Sequence, residues 1–151
     1  MFHFPLTVNE KAARVVAGVV ALTALVALVT GAHWLLVPLA YGFWARVLTG
    51  PTLSPLAQLA TRVVAPRLGP PRHVPGPPKR FAQSMGAAMT TAGVVAWLAG
   101  ADGVVTVLLV ALLVAATLES VFALCIGCRI FAGLMRIGVV PQSVCERCAV
   151  V

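Results

Sequence analysis

Four long stretches of apolar residues, separated by polar connections, account for most of the chain. The first runs over residues 12–30, close to the about 20 residues that a helix needs to cross about 30 Å of hydrocarbon. The others lie at about 33–48, 81–99 and 104–124. This pattern predicts an all-α fold, an integral membrane four-helix bundle that forms a single domain over residues 1–151.

The first stretch also has features of a signal peptide, because a basic segment precedes its apolar core. No small-x-small cleavage motif follows it, and the second stretch begins at once. We therefore expect a retained span. The second stretch is the shortest and contains Arg46, whose guanidinium we expect to extend outward to water. The third stretch is rich in small residues, which let neighbouring helices approach closely in lipid.

Residues 49–80 form the longest polar connection and contain most of the prolines of the chain. Ser54 and Pro55 are typical of a helix start, and apolar residues then recur at helical spacing through Val64. This pattern indicates a short amphipathic helix, which either lies in the membrane surface or packs on the bundle as an ordinary loop helix. The prolines from 66 to 78 predict an extended connector.

The composition excludes an ordinary soluble domain. The chain is 60% hydrophobic and 10% charged, with a mean hydropathy of +1.00, whereas soluble domains carry about 25% charged residues. A net charge of +7 would suggest nucleic acid as the partner of a soluble protein. The positions of the basic residues point to a membrane instead, and we expect no nucleic-acid partner.

With a cytosolic N-terminus, every lysine and arginine falls on the cytosolic side of the four predicted spans, whereas the two outer turns carry only His33 and Asp102. The positive-inside rule therefore predicts a multi-pass protein whose first partner is the lipid bilayer. Both termini, the loop 49–80 and the tail 125–151 are then cytosolic. The basic residues are Lys11, Arg14, Arg46, Arg62, Arg67, Arg72, Lys79, Arg80, Arg129, Arg136 and Arg147.

All four cysteines lie in two CxxC pairs on the predicted cytosolic side, Cys125 with Cys128 and Cys145 with Cys148. Cytosolic thiols are normally kept reduced, which favours a metal site or a transient catalytic disulfide over a structural one. Sixteen residues separate the pairs, a spacing typical of a four-thiolate zinc site. Thiol chemistry without a cofactor and zinc binding by the same four residues are both compatible with the sequence.

The first pair directly follows the fourth span. If that helix continued, the Cβ atoms of Cys125 and Cys128 would lie about 5 to 6 Å apart, farther than the about 3.5 to 4.5 Å of a disulfide. A bond would then require the helix to loosen, which Gly127 would permit. The negative end of the helix dipole would oppose a thiolate, whereas Arg129 would favour one. Beyond the pair, the pattern predicts a short cytosolic helix that ends near Gly138.

Glu119 lies inside the fourth predicted span, where ionisable groups are costly and are functional hypotheses by default. One interpretation is a structural ion pair with Arg46 or Arg80 on a neighbouring span. The other is a proton acceptor for the thiols. In a continuous helix, at about 100° per residue, its side chain would point about 120° away from Cys125, so this second role requires a bend or a bridging water.

Several segments of the chain together carry a family resemblance. They are Asn9–Gly18, Leu53–Ala57, Pro78–Gln83, Leu118–Glu119 and Cys125–Arg129. In this order they resemble the bacterial membrane-protein family described as domain of unknown function 4395, and the match covers nearly the whole chain. The resemblance implies a multi-span protein of the bacterial cytoplasmic (inner) membrane. Family members often occur with thioredoxin-like proteins and rhodanese-type sulfurtransferases, which implies a thiol or sulfur setting.

Three functions are compatible with these features. The first, which the family setting favours, is thiol redox or sulfur relay with a thioredoxin-like protein or a rhodanese-type sulfurtransferase. The second is binding of zinc or a softer metal by the four thiolates. The third is a membrane scaffold for sulfur-handling enzymes, and a homo-oligomer is compatible with all three. The residues predicted for the first function are Cys125, Cys128, Cys145, Cys148 and Glu119.

Overall fold

The computed structural model describes residues 4–145. This part of the chain is all-helical apart from two short strands, β1 (Thr7–Asn9) and β2 (His73–Pro75), which pair antiparallel. The four long helices lie close to the four apolar stretches of the sequence. The helices are α1 (Glu10–Thr30), α2 (Leu36–Thr49), α3 (Pro55–Leu59), α4 (Ala65–Arg67), α5 (Gly76–Leu98), α6 (Asp102–Phe122) and α7 (Ile126–Arg136).

The long helices pack through small residues. α1 lies along α6 and α2 lies along α5, while α5 also contacts α6 and α7. Ala24 and Ala27 of α1 are fully buried. A Cβ at Gly86 of α5 would overlap the ring of Phe43 on α2. Small side chains therefore set the separation of these helices, as the composition of the third apolar stretch predicts.

Among the residues that the structure describes, α1 and α6 are long and apolar enough to cross a membrane. Only 33% of the apolar window of α1 and 22% of that of α6 are buried, so neither helix resembles the core helix of a soluble protein. Large apolar side chains face outward instead, including Leu22 and Val29 on α1 and Val107 and Val121 on α6. These two helices indicate association with a membrane.

The fifth helix begins earlier than the sequence predicts. The prolines favoured an extended connector through Pro78 and a span from residue 81, yet α5 starts at Gly76. Pro77 and Pro78 occupy its first turn, where the missing N–H groups cost little because these positions have no intrahelical acceptor. The added turn carries Lys79 on the helix and buries it, with 8% of the residue exposed.

The central loop folds as a helical segment in which a π-helical turn, Ala60–Val64, joins α3 to α4. Pro66 has no N–H to donate, which accounts for the wider turn before it. The segment packs on α1 through Ala57 and Ala60, which are 5% and 1% exposed, while Leu59 points outward. The helix therefore packs on its neighbours, and its predicted position in a membrane surface stays a prediction.

Charged side chains lie at both ends of the long helices. At one end, His33 Nδ1 lies 3.7 Å from Asp102 Oδ1. At the other end, Arg14 donates to the last carbonyl oxygens of α6, and Arg80 donates to the carbonyl oxygen of Val47 near the end of α2. Arginines therefore satisfy carbonyl groups that helix termini leave without partners. The first cysteine pair lies at this second end.

Candidate thiol site

The fourth long helix ends just before the first cysteine pair. One residue after α6, Ala123 adopts a left-handed conformation with φ 54°, and Cys125 then becomes the N-cap of α7. The helix therefore does not continue through the pair, so the geometry considered for a continuous helix does not apply. Arg14 stabilises the break, because its Nε and Nη2 donate at 3.0 and 3.3 Å to the carbonyl oxygens of Ser120 and Val121.

The two sulfur atoms of the pair meet at the first turn of α7. Cys125 Sγ accepts a hydrogen bond from the Cys128 amide at 3.3 Å, and Cys128 Sγ lies 2.6 Å from Cys125 Sγ. A disulfide bond is about 2.05 Å long, so a small side-chain movement suffices to form one. The N-terminal end of a helix carries partial positive charge, which favours a thiolate. The sequence had placed the pair at the opposite, negative end of a helix.

Gly127 has a packing role instead of the loosening role expected from the sequence. It lies inside α7, and a Cβ there would lie 2.5 Å from the Cβ of Ala82 on α5. α7 therefore approaches α5 closely, and this contact holds the thiol pair against the long helices. The short helix itself is confirmed, and Gly138 follows its end with φ 80°, as the sequence predicts.

Hydrogen bonding makes the two thiols unequal. The pKa of Cys125 is lowered, chiefly because the Cys128 thiol donates to its sulfur; burial and the carboxylate of Glu119 oppose this effect, whereas Lys79 adds to it. The pKa of Cys128 is raised, first because its proton is held in that hydrogen bond and then because the residue is buried. Cys125 is therefore the residue of the pair that loses its proton first.

Glu119 forms an ion pair with Lys79 beside the two thiols, and the side chains are 15% and 10% exposed. The expected partners were Arg46 or Arg80, but Arg80 donates to the main chain of α2 and Arg46 to a side chain of α5. Lys79 is thus the residue of the site that sequence reasoning missed. The available signal was the pair of prolines before it, which is compatible with the first turn of a helix.

Two cavities meet at Cys125. The inner cleft lies between α1, α2, α5 and α6, and its polar groups belong to Arg46, Gln83, Glu119 and Cys125. The outer groove runs beside the start of α7, and both Cys125 and Cys128 line it. Because the chain breaks before Cys125, Glu119 and this thiol share one cleft, so the angular separation expected for a continuous helix does not apply. The role of Glu119 as a proton acceptor stays a prediction.

Arg46 lies in the wall of the inner cleft and is 6% exposed, instead of extending to water as expected. Its Nε donates to Gln83 Oε1 at 2.8 Å, and its Nη1 lies 3.5 Å from Ser54 Oγ. The guanidinium also lies 4.7 Å from the ring centroid of Phe43. Polar and aromatic contacts thus replace water around a buried cation.

The second cysteine pair is only partly described. Cys145 is 5% exposed, packs with Phe131 and Met135 of α7, and is disulfide-bonded. Cys148 lies outside the described residues. Within residues 4–145, no group of three or more histidine, cysteine, aspartate or glutamate side chains is arranged to hold a metal ion. The four-thiolate site therefore stays a prediction, as does a role for the second pair in thiol chemistry.

Comparison with known proteins gives a family and no function. Residues 8–136 match the family described as a domain of unknown function (DUF4395), which agrees with the resemblance seen in the sequence. The match extends from β1 to the last residue of α7, so it includes the first cysteine pair but not the second. No curated protein and no solved structure shows significant similarity to the chain.

Proposed function

Because the chain belongs to the family described as a domain of unknown function (DUF4395), a description that gives no activity, we propose a function from its site: thiol–disulfide exchange at a membrane face. The observation that carries the proposal is the 2.6 Å between Cys125 Sγ and Cys128 Sγ at the start of a helix. Two sulfurs at this separation are poised to alternate between dithiol and disulfide.

The reaction requires a partner that brings a disulfide, and the family setting favours a thioredoxin-like protein. The Cys125 thiolate attacks one sulfur of that disulfide, forms a mixed disulfide and releases the other partner sulfur as a thiolate. Cys128 then loses its proton and attacks Cys125 Sγ, which breaks the mixed bond. The products are the Cys125–Cys128 disulfide and a partner with two thiols, so two electrons have passed to the partner. The reverse sequence reduces the chain.

The inequality of the two thiols supports these roles. An attacking group must be a thiolate, and the lowered pKa of Cys125 favours that form. The second group must keep its proton until the mixed disulfide has formed, and the pKa of Cys128 is raised. A rhodanese-type sulfurtransferase would use the same attacking residue, because a persulfide is also a target for a thiolate.

We further propose that the chain is a multi-pass protein of the bacterial cytoplasmic membrane, with both termini in the cytosol. Outward-facing apolar side chains on all four long helices support this arrangement, with Tyr41 and Trp44 on α2 and Val95 and Leu98 on α5 adding to those on α1 and α6. The contact between His33 and Asp102 supports a common side for the two turns that carry few charges. The arginine-rich end, with the thiol pair, would then face the cytosol.

A trapping experiment tests the exchange reaction. The purified protein in detergent is reduced, mixed with an oxidised thioredoxin-like protein, quenched with an alkylating agent and analysed by intact mass. We expect loss of two alkylation sites in the wild type and a stable mixed disulfide in Cys128→Ser, because the resolving thiol is absent. Cys125→Ser is the matched control and should form no adduct.

Two results would contradict the proposal. One is equal adduct formation in Cys125→Ser and Cys128→Ser, which would show that the attacking role does not belong to Cys125 specifically. The other is stoichiometric zinc with four unreactive thiols, which would instead favour the metal site of Cys125, Cys128, Cys145 and Cys148.

Topology is tested separately with single cysteines placed at Asp102 or Leu68 on a cysteine-free background. An impermeant thiol reagent added outside spheroplasts should label the first position only.

A further inference from the structure

The inner cleft is amphipathic. Besides Glu119 and Cys125, its polar groups are Arg46 and Gln83, which are joined by a hydrogen bond of 2.8 Å. The rest of its wall is mainly aliphatic and thioether side chains of the long helices. Met85 and Met89 contribute flexible sulfur-containing side chains that adapt to different ligand shapes. A ligand that fits this cleft has hydrogen-bond acceptors at one end and an apolar body.

The cleft also reaches the reactive sulfur. Cys125 lines both the inner cleft and the outer groove, whereas Cys128 lines the outer groove. A soluble protein can approach the pair through the outer groove, while a molecule held between the long helices meets Cys125 from the opposite side. The position of this thiol therefore allows it to receive electrons from a soluble protein and to pass them to a molecule bound between the long helices.

We infer that the inner cleft binds a lipid-soluble quinone, which accepts two electrons from Cys125 and Cys128. This inference rests on the proposed thiol exchange. It follows from three features together: a dithiol that needs a two-electron acceptor, N–H donors that match quinone carbonyl oxygens, and apolar walls that match a ring and an isoprenoid chain. A phospholipid would share the apolar match but could not oxidise the pair.

The reaction balances with one proton from water. The Cys125 thiolate adds to a ring carbon of the quinone, and Cys128 then attacks Cys125 Sγ, which breaks that C–S bond and forms the S–S bond. Two electrons stay on the ring, and the Cys128 proton and the proton from water end on its two oxygens, giving a hydroquinone. Arg46 has five N–H donors, and its hydrogen bonds to Gln83 and Ser54 use Nε and Nη1. Its Nη2 can therefore donate to a carbonyl oxygen and stabilise the negative charge that reduction places there.

The ion pair beside the thiols provides a path for one proton. Glu119 shares the inner cleft with Cys125, and Lys79 shares the outer groove with both cysteines. When the Cys128 thiol attacks Cys125, its proton can pass to the Glu119 carboxylate and from there to the quinone oxygen. Lys79 forms an ion pair with that carboxylate and so holds it beside the thiols.

The test uses the full-length protein in lipid nanodiscs, reduced and freed of excess reductant. A short-chain benzoquinone is added, its reduction is followed by absorbance, and disulfide formation is followed by alkylation and mass analysis. Ala115 lines the cleft, so Ala115→Phe fills it. Val114, the preceding residue, is 51% exposed on the outside of α6, which makes Val114→Phe the matched control.

We expect quinone reduction by the wild type and Val114→Phe at similar rates, and a rate at least about tenfold lower for Ala115→Phe, the loss that corresponds to about 1.4 kcal/mol of binding free energy. One hydroquinone should appear for each disulfide formed. Equal rates in the two phenylalanine variants, or a wild-type rate no higher than that of a small dithiol in the same nanodiscs, would overturn the inference.

A second readout separates this inference from the proposed thiol exchange. Each protein is also mixed with a water-soluble aromatic disulfide, which approaches through the outer groove and releases a coloured thiolate. Ala115→Phe should retain this reaction, which also shows that the variant is folded. If the aromatic disulfide oxidises the pair and the quinone does not, the quinone site is refuted while thiol exchange stands. If neither reagent oxidises the pair, both are refuted.

Discussion

Removal of Lys79 should destabilise the protein more than removal of a comparable exposed charge. The Lys79 and Glu119 side chains are 10% and 15% exposed, so Lys79→Met leaves a nearly buried carboxylate without its main partner. Breaking a buried pair from one side costs about 3 to 5 kcal/mol. Arg46 lies in the same cleft as Glu119 and offsets part of the loss, so we expect the lower end, about 3 kcal/mol.

The reverse variant and the double variant distinguish a paired charge from simple packing. Glu119→Gln should cost a similar amount, because it leaves the ammonium group of Lys79 unpaired. In the double variant neither member of the pair is left charged without the other, and replacement of a whole buried pair by neutral side chains is often close to neutral. We therefore expect the double variant to be more stable than either single variant, with a coupling free energy above about 2 kcal/mol.

Thermal unfolding in detergent, followed by far-UV circular dichroism, measures these differences. For a chain of this size about 1 kcal/mol corresponds to about 2 to 4 °C in Tm, so each single variant should melt about 6 to 12 °C below the wild type. The control is Asp102→Asn, which removes the partner of His33 at a side chain that is 75% exposed and should cost less than about 1 kcal/mol. Single variants that match this control, or additive losses in the double variant, would refute the reasoning.

Three further predictions concern the break between α6 and α7. The pKa of Cys125 is lowered by its hydrogen bond from Cys128, so alkylation of Cys125 should begin at lower pH than alkylation of an ordinary thiol. Cys128→Ala should move this pH profile of alkylation, followed by mass spectrometry, to higher pH. An unchanged profile would exclude the hydrogen bond. Gly127→Ala, which brings a Cβ within 2.5 Å of another on α5, should lower the free energy of unfolding by about 1 to 3 kcal/mol. Gly133→Ala, which meets open space, should raise it by up to about 1 kcal/mol, and equal effects in melting experiments would contradict the packing argument. Ala123→Gly should relieve the left-handed backbone and raise Tm, since this conformation costs a non-glycine residue about 1 to 2 kcal/mol.

The long helices could be predicted because their signal is local and strong. Runs of apolar residues near the length of a membrane crossing predicted both ends of α1 and α6 to within two residues. The end of α7 was predicted as well, because Gly138 has the backbone freedom that a helix terminus requires. Which helices pack together could not be predicted in the same way, since a small residue such as Gly86 indicates a close contact but does not identify the helix that makes it.

The thiol site could be predicted only in part, because its geometry depends on two ambiguous signals. Ala123 gave no indication of a left-handed turn, since alanine favours a continuing helix and only tertiary contacts such as those of Arg14 compensate the break. Pro77 and Pro78 suit both an extended connector and a first helical turn, and only packing decides between them. Because of this second ambiguity, the ion pair between Lys79 and Glu119 was not predicted, since it depends on one additional turn at the start of α5.

The N-cap of α7 is a sulfur atom, so the oxidation state of the pair and the stability of this helix are linked. A thiolate at Cys125 is a strong acceptor for the Cys128 amide, whereas a neutral disulfide sulfur accepts weakly. Oxidation therefore loosens the first turn of α7, where amide hydrogens should exchange faster. A protein that binds near this turn would meet two different backbone surfaces, and it could distinguish the oxidised form from the reduced form without touching either sulfur.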